Sequence, residues 1–383
     1  MAKTPKIRFK NFSDEWENNN LGEICKIIKG EQINKLSLLE NGKYYVLNGG
    51  ISPSGYINTY NTLENTISIS EGGNSCGYVK FNIEKFWSGG HNYTLNELKT
   101  KTLFLYSFLK AKQQKIMALR VGSGLPNIQK NTLSNISISI PNSEEQEKIG
   151  AFFSKLDKLI ALHQSKFEKL QKIKKSCLQN LFPQNNQNTP KIRFKNFSDE
   201  WDSEILEKFC NIYDGTHQTP NYTNKGVMFL SVEDIKTLKS NKFISKIEFE
   251  KNYKIFPTYG DILLTRIGDI GIANVFLSFE KVAYYVSLAL LKPKNVNSFF
   301  LQNSFSSDYL KNELFKRTLH IAFPKKINKN EIGKMQFKIP KNIKEQEKIG
   351  AFFSKLDKLI ALHQSKFEKL QKIKKSCLQN MFV

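Results

Sequence analysis

A long internal repeat dominates this sequence. Segment 145–180 recurs without a change as 345–380, and the shorter segment 5–16 (PKIRFKNFSDEW) recurs as 190–201. Between these two segments, each copy holds a block whose sequence differs from that of the other. Repetition on this scale predicts two similar modules with common connectors. Because the connectors are identical while the blocks differ, the sequence indicates one frame that presents two different binding surfaces.

The two blocks share a skeleton when they are aligned from their fixed flanks. Each has a glycine after its first strand-like stretch (Gly30 and Gly215), a second strand-like stretch (42–48 and 226–231), and a strand, glycine-rich turn and strand (67–81 and 262–276). We therefore expect two copies of one α+β domain whose surface loops have diverged. The expected division is 1–143 for the first block with its leader 1–16, 144–182 for the first helix, 183–189 for a linker, 190–343 for the second block with its leader 190–201, and 344–383 for the second helix.

The repeated segment is predicted to form a long helix. No proline lies between residues 144 and 182, and two sevenfold series offset by three run along it: Ile149, Leu156, His163, Leu170 and Cys177, then Phe152, Leu159, Lys166, Ile173 and Asn180. Such spacing is typical of the a and d positions of a coiled coil. Ser143 is the expected N-cap, and the helix would span about 58 Å. Two identical helices predict an antiparallel, pseudo-two-fold symmetric pair.

A third sevenfold series predicts a surface for partner proteins. A seam between two helices does not need this extra column of apolar residues. The residues expected to bind a partner are Phe153, Ile160 and Phe167 in the first helix and Phe353, Ile360 and Phe367 in the second. The alternative is that Phe153 and Phe167 pack on their own variable block. His163 and His363 are expected to set the helix register rather than to bind metal.

The charge balance indicates a polyanionic partner. The chain has 58 basic and 35 acidic residues, a formal charge of +23. A lysine-rich genome alone usually raises Glu and Asp as well, so a nucleic acid is the favoured partner. No apolar run approaches the roughly 20 residues that span a bilayer, no signal core opens the chain, and the five cysteines include no C-x-x-C pair. A cytoplasmic location is expected.

The divergent loops are rich in side chains that read base edges or hold phosphate. Arginine can bridge guanine, glutamine or asparagine can bridge adenine, and lysine anchors phosphate. The candidates in the first block are Lys29, Gln32, Asn74, Ser75, His91, Asn92, Arg120 and Asn127. Those in the second block are Thr216, His217, Gln218, Thr219, Asn221, Tyr222, Arg266, Asp269, Arg317, His320, Lys325 and Lys326. Hairpin geometry and simple solvation are the alternative explanations of these loops.

No catalytic constellation is evident in the sequence. It has no G-x-x-x-x-G-K-[ST] phosphate loop, no N-P-P-[FY] tetrapeptide and no F-x-G-x-G stretch for S-adenosylmethionine, and its five histidines have no metal-like spacing. We therefore expect neither a cofactor nor a metal in this chain, and any chemistry is expected in partner proteins.

The layout and several motifs resemble the specificity subunit of a type I restriction-modification system. The motifs are F-S-D-E-W near each module start, Gly215-Thr216-His217 followed by Thr219-Pro220, Gly260-Asp261-Ile262-Leu263, and E-Q-E-K-I where each helix begins. The first block departs from this pattern, since Gly30 is followed by Glu31 and Gln32. The resemblance covers essentially the whole chain.

That resemblance implies a function and a set of partners. The blocks would be target recognition domains that each read half of a split, asymmetric site in double-stranded DNA, and the paired helices would set the gap between the halves. Two methyltransferase subunits would methylate adenine with S-adenosylmethionine, and motor-nuclease subunits would add ATP- and Mg-dependent cleavage. The main alternative is a DNA-binding coiled-coil scaffold or anti-restriction decoy, and a second alternative is a stand-alone nuclease.

Overall fold

The computed structural model describes residues 4–122, 124, 126–184 and 186–383. The chain divides into two compact units: Met1–Ser165 with Gln364–Val383, called the first unit, and Lys166–His363, called the second unit. Each boundary falls inside a long helix. Each unit therefore contains one variable block, the first part of the helix that follows this block, and the last part of the other long helix. The division expected from the sequence, which treats the helices as separate segments, stays a prediction.

The first unit alternates short strands with short helices before its long helix. In chain order its elements are β1 (Glu17–Asn20), α1 (Leu21–Ile24), β2 (Lys26–Lys29), β3 (Tyr44–Leu47), β4 (Gly55–Ile57), β5 (Thr66–Ser70), β6 (Val79–Asn82), β7 (Trp87–Ser88), β8 (Asn92–Asn96), α2 (Thr102–Ala111), α3 (Gln113–Ala118), α4 (Lys130–Ser134), β9 (Ser137–Ile140) and α5 (Ser143–Asn180). The antiparallel sheet β2-β8-β5-β6 is the largest; β4-β3-β7 and β1-β9 are smaller.

The second unit repeats this plan with different loops. Its elements are β10 (Asp202–Ile205), β11 (Cys210–Asp214), β12 (Tyr222–Thr223), β13 (Val227–Leu230), β14 (Phe243–Ile244), α6 (Lys246–Asn252), β15 (Ile262–Thr265), β16 (Ala273–Val275), β17 (Val282–Tyr284), β18 (Leu288–Pro293), α7 (Ser298–Ser304), α8 (Asp308–Arg317), α9 (Lys329–Gly333), β19 (Gln336–Ile339) and α10 (Ile343–Asn380). The sheet β11-β18-β15-β16 has the order of β2-β8-β5-β6, and β10-β19 that of β1-β9. The predicted α+β class and the shared skeleton are confirmed.

Gly30 and Gly215 occupy the same place in the two units. Each follows the first strand of the large sheet, where the backbone passes very close to another strand end. A Cβ atom at Gly30 would lie 2.3 Å from the carbonyl oxygen of Gly89, and one at Gly215 would lie 2.4 Å from that of Tyr285. Only glycine permits this approach, so the alignment of the two blocks made from sequence has a steric basis.

An aromatic core joins the block to both long helices within each unit. In the first unit Phe382, just past the end of α10, packs on Trp16 and Phe104 and stacks on Phe153 of α5 with ring centroids 5.6 Å apart. Further along the same two helices, Asp157 pairs with Lys374. From Phe153 to Asp157 the residue number increases along α5, whereas from Phe382 to Lys374 the number of the contacting residue decreases. These helix portions therefore run antiparallel, as predicted.

The inward-facing series of the coiled coil differ from those expected. Leu156 of the first series is buried, whereas Leu159 and Ile173 of the second series are 36% and 38% exposed. The third series faces inward instead: Phe153 is buried, and Lys174, which interrupts its apolar residues, pairs with Asp357 at 2.5 Å. The predicted seam of the first and second series is therefore wrong. The seam combines the first and third series, because the variable block and the opposite helix both cover that side.

The repeated leader fastens the start of each long helix. Arg8 donates two hydrogen bonds to the buried carboxylate of Glu145, at 2.7 and 2.8 Å, and Arg193 makes the same pair with Glu345. These bonds raise the pKa of the Arg8 guanidinium. The helix cap is Asn142, whose side chain accepts from the Glu145 N–H at 3.0 Å, rather than the expected Ser143.

Candidate nucleic-acid interface

Five of the residues predicted from sequence line one cleft in the first unit. Lys29 ends β2, Asn74 and Ser75 lie in the turn between β5 and β6, His91 precedes β8, and Asn127 lies in the hairpin before α4. The cleft encloses about 580 Å³, and Asn74, His91 and Asn127 are exposed at its rim. These residues are distant in sequence, and the sheet order β2-β8-β5 brings their loops to the same end.

Glu71 organises the floor of this cleft. Its Oε1 accepts from Lys29 Nζ at 2.7 Å and from the Tyr93 hydroxyl at 2.9 Å, and its Oε2 lies 3.6 Å from His91 Nδ1. Burial and this carboxylate together raise the pKa of Tyr93, which stays a hydrogen-bond donor. Glu71 was not among the predicted residues. It places a lysine and a histidine side by side on one wall.

Three further first-block residues lie in different environments. Gln32 and Arg120 are exposed. Asn92 is buried and donates through Nδ2 to Ser88 Oγ at 3.0 Å, so the prediction that it contacts DNA is corrected. This side-chain amide connects the start of β8 to Ser88 at the end of β7. The Ser75 hydroxyl donates to the Gly49 carbonyl and also serves mainly to shape the turn.

Arg266 holds the corresponding loops of the second unit together. Its side chain is 7% exposed; its guanidinium pairs with Asp214, and its Nε donates to the Ile327 carbonyl at 3.1 Å. The prediction that Arg266 contacts DNA is therefore corrected, because its side chain is buried and its Nε and Nη1 atoms are hydrogen-bonded within the unit. It joins the end of β11, the β15–β16 turn and the segment before α9.

The predicted residues around Arg266 are mostly exposed. Thr216 is half-buried beside the Tyr284–Val286 backbone. The exposed members are His217, Gln218, Thr219, Asn221, Tyr222, Asp269, His320, Lys325 and Lys326. Arg317 is half-buried and pairs with Glu313 and Glu331, so its charge is already compensated. Within the described part of the chain, Lys325 and Lys326 have no carboxylate partner.

The backbones of the two sites are equivalent. The Glu71 N–H donates to the His91 carbonyl at 2.9 Å, as the Arg266 N–H does to that of Ser287 at 3.0 Å. The Glu71 carbonyl accepts from the Ile128 N–H at 2.9 Å, and in the second unit the Arg266 carbonyl accepts from the Ile327 N–H at the same distance. One scaffold position thus carries an acid in the first unit and a base in the second.

The surface predicted for partner proteins needs correction. Phe153 and Phe353 are buried in the aromatic cores of their units. For Phe153 this agrees with the alternative, in which it packs on its own variable block. Ile160, Phe167, Ile360 and Phe367 are half-buried on the same side of each helix. The apolar residues left exposed lie on another face and repeat in both copies: Leu159, Leu162 and Ile173, with Leu359, Leu362 and Ile373.

The described residues contain neither a candidate metal cluster nor a candidate membrane span. No group of three or more His, Cys, Asp or Glu side chains in that part of the chain is placed to hold a metal ion. No helix within the same residues is both long enough and apolar enough to cross a membrane.

A repeated frame that carries two different loop surfaces defines a duplicated recognition protein, and the comparisons identify its family. The family model described as the type I restriction modification DNA specificity domain matches residues 13–174 and again 198–373. The chain belongs to this family of type I specificity proteins.

Individual relatives of the chain are also named as type I specificity subunits. A putative type I specificity subunit of Mycoplasma pneumoniae is 36% identical over 148 residues, which are 38% of this chain and 39% of the relative. One from Mycoplasma genitalium is 34% identical over 183 residues, 47% of each chain. The chain thus matches less than half the length of these two relatives. The MjaVIII specificity subunit of Methanocaldococcus jannaschii is 24% identical over 95% of this chain and 91% of its own.

A solved structure has the same fold. The S subunit of a type I restriction-modification system from M. genitalium superposes with a TM-score of 0.73 over 99% of both chains, at 22% sequence identity. At this identity the likeness concerns the fold.

Proposed function

We propose that the chain is the DNA-binding specificity subunit of a type I restriction-modification complex and that it reads a bipartite, asymmetric DNA site. The observation that carries the proposal is the equivalence of the two loop clusters. Their backbone frames match, yet Lys29 and Glu71 stand where the second unit has Asp214 and Arg266. Two units with the same backbone arrangement but different side chains can bind different half-sites, because base edges are distinguished by their patterns of hydrogen-bond donors and acceptors.

The proposal assigns direct readout to exposed side chains only. In the first unit these are Gln32, Asn74, His91, Arg120 and Asn127; in the second they are His217, Gln218, Thr219, Asn221, Tyr222 and Asp269. Lys29, Lys325 and Lys326 would contact phosphate. The buried pair Arg266–Asp214 would hold the reading loops in place rather than touch bases.

The same proposal assigns all chemistry to partner subunits. Two methyltransferase subunits would modify adenine with S-adenosylmethionine, motor-nuclease subunits would use ATP and Mg, and the chain itself would bind no cofactor. Two identical partners need two identical surfaces. The exposed apolar residues of the long helices, Leu159, Leu162 and Ile173 with their copies in α10, meet that need. The cytoplasm, which contains the genome, is the compartment the proposal implies.

The test is genome-wide mapping of methylated adenine in cells that express the methyltransferase with or without this chain. We expect one non-palindromic two-part motif that depends on the chain. The double variant Gln218→Ala with Asn221→Ala should relax or change one half of the motif and leave the other intact. The matched first-unit variant, Asn74→Ala with Asn127→Ala, should affect only the opposite half. A motif that is unchanged by both variants, or the absence of any dependent motif, contradicts the proposal.

A further inference from the structure

The hairpin that follows α8 ends in an exposed apolar tip. Ile321 and Phe323, which together are called the apolar tip, are fully exposed. Leu319 and Lys326 form an antiparallel bridge that closes the hairpin, and the Leu319 N–H donates to the Lys326 carbonyl at 2.8 Å. Isolated exposed apolar residues are common, but two large ones at one projecting tip mark a contact surface.

The apolar tip lies among the loops proposed to read DNA. The Gly268 N–H donates to the Lys325 carbonyl at 2.8 Å, and the Ile327 N–H donates to that of Arg266 at 2.9 Å. The base of the hairpin is thus fixed to the β15–β16 turn. Lys325 and Lys326 follow the tip after Pro324, and both are exposed and without a carboxylate partner among the described residues.

We propose that the apolar tip is a wedge that inserts against the bases of the DNA half-site bound by the second unit. This inference rests on the proposed function. Ile and Phe beside basic residues have the chemistry of side chains that enter a base step and unstack it while lysines hold the phosphates.

The first unit argues against a protein partner at this position. Its equivalent hairpin closes through Val121 and Asn127, and the stretch between them reads Gly122-Ser123-Gly124-Leu125-Pro126, with Ser123 and Leu125 outside the described residues. No bulky pair matches Ile321 and Phe323 there. A partner present in two identical copies would need the tip in both units. A feature confined to one variable block instead suits the reading of one half-site.

The test uses the chain assembled with its methyltransferase subunits and a duplex that carries the methylation-mapped site. Adenines of the second half-site are replaced one at a time by 2-aminopurine, whose fluorescence rises on unstacking. For Ile321→Ser with Phe323→Ser we expect a loss of about 10-fold or more in affinity and loss of the fluorescence rise. Phe323→Leu should keep most of both.

Phe279→Ser is the matched control. Phe279 is also strongly exposed, but it lies beyond the other end of β16, where it stacks on Tyr259. This variant should bind and unstack DNA like the wild type. Melting curves check that each variant is folded, which full exposure of the altered side chains leads us to expect.

The outcomes separate the wedge from the proposed function. If the wild-type assembly prefers the mapped site and the serine double variant keeps both affinity and fluorescence, the wedge is wrong and the proposed function stands. If that variant fails to assemble with methyltransferase, the tip is a protein-docking element and the wedge is again wrong. A wild-type assembly without any sequence preference overturns both.

Discussion

Lys29 and Glu71 form an ion pair in the first unit at the positions where the second unit pairs Asp214 with Arg266, so the polarity of the pair is reversed. The Lys29–Glu71 distance is 2.7 Å, and both pairs connect the last residue of the first sheet strand to the first residue after the third. The pair joins the same two loops in both units, but its more exposed member is the basic Lys29 in the first unit and the acidic Asp214 in the second. A duplicated scaffold can change its reading surface in this way without changing its backbone.

The second-unit pair should be strongly coupled. Asp214→Asn leaves the buried Arg266 guanidinium without its counter-charge and should cost about 3 kcal/mol of unfolding free energy. Asp214→Lys combined with Arg266→Glu copies the polarity of the first unit and should recover about half of that loss. Urea denaturation of the single and double variants measures both effects. If the loss of unfolding free energy in the double variant equals the sum of the losses in the two single variants, the two positions are not coupled in this way.

The corrected helix register predicts opposite results for two neighbouring leucines. Leu156 is 5% exposed and Leu159 is 36% exposed. Leu156→Asp should lower the unfolding free energy by about 3 kcal/mol or more, because it buries an unpaired charge. Leu159→Asp should change stability by less than about 0.5 kcal/mol but reduce co-purification of methyltransferase. Losses of similar, large size for both variants would restore the register first predicted, in which both leucines lie in the seam.

A fragment of residues 1–184 should form a symmetric dimer. In the whole chain, Phe153 of the first unit stacks on Phe382, and Phe353 of the second unit stacks on Phe182. The helix end of one fragment can therefore supply Phe182 where the other needs Phe382. Light scattering should give twice the fragment mass, and the fragment with methyltransferase should methylate a palindromic motif made of the first half-site twice. A monomer that leaves DNA unmodified contradicts this prediction.

Stability should depend on pH through Lys110. Burial lowers the pKa of Lys110 to about 8, and the nearby charge of Lys374 acts in the same direction. Between about pH 8 and pH 10.5 the unfolded chain then binds more protons than the folded chain, so this residue makes the unfolding free energy rise with pH. Below that window the folded chain bears the full cost of the buried charge.

Urea denaturation at pH 7.5 and pH 10 tests this pH dependence. The unfolding free energy of the wild type relative to Lys110→Met should increase by about 2 kcal/mol over the range. Lys26→Met, at an exposed lysine, is the matched control. A difference between wild type and Lys110→Met that is constant with pH would show that the pKa of Lys110 is the same in the folded and unfolded chain.

Much of the architecture follows from patterns that are local in sequence. The repeat predicts two similar modules, the sevenfold spacing predicts α5 and α10, and residues 67–81 and 262–276 predict strand, turn and strand, as the structure has them. These features are set by short-range backbone preference and by the period of apolar residues. They are therefore readable before any contact between distant segments is known.

The tertiary structure decided which side chains are available. Three apolar series run along the long helix, and the first makes an acceptable heptad seam with either the second or the third. Packing of Trp16 and Phe104 with Phe382 settles that Phe153, in the third series, faces inward. Likewise, the sequence predicts that Arg266 contacts a base, but in the folded unit its guanidinium is paired with Asp214. Burial and ion pairing are made by residues far apart in the chain, so sequence alone determined the repeated frame, and only the folded contacts determined which of its residues are left to bind.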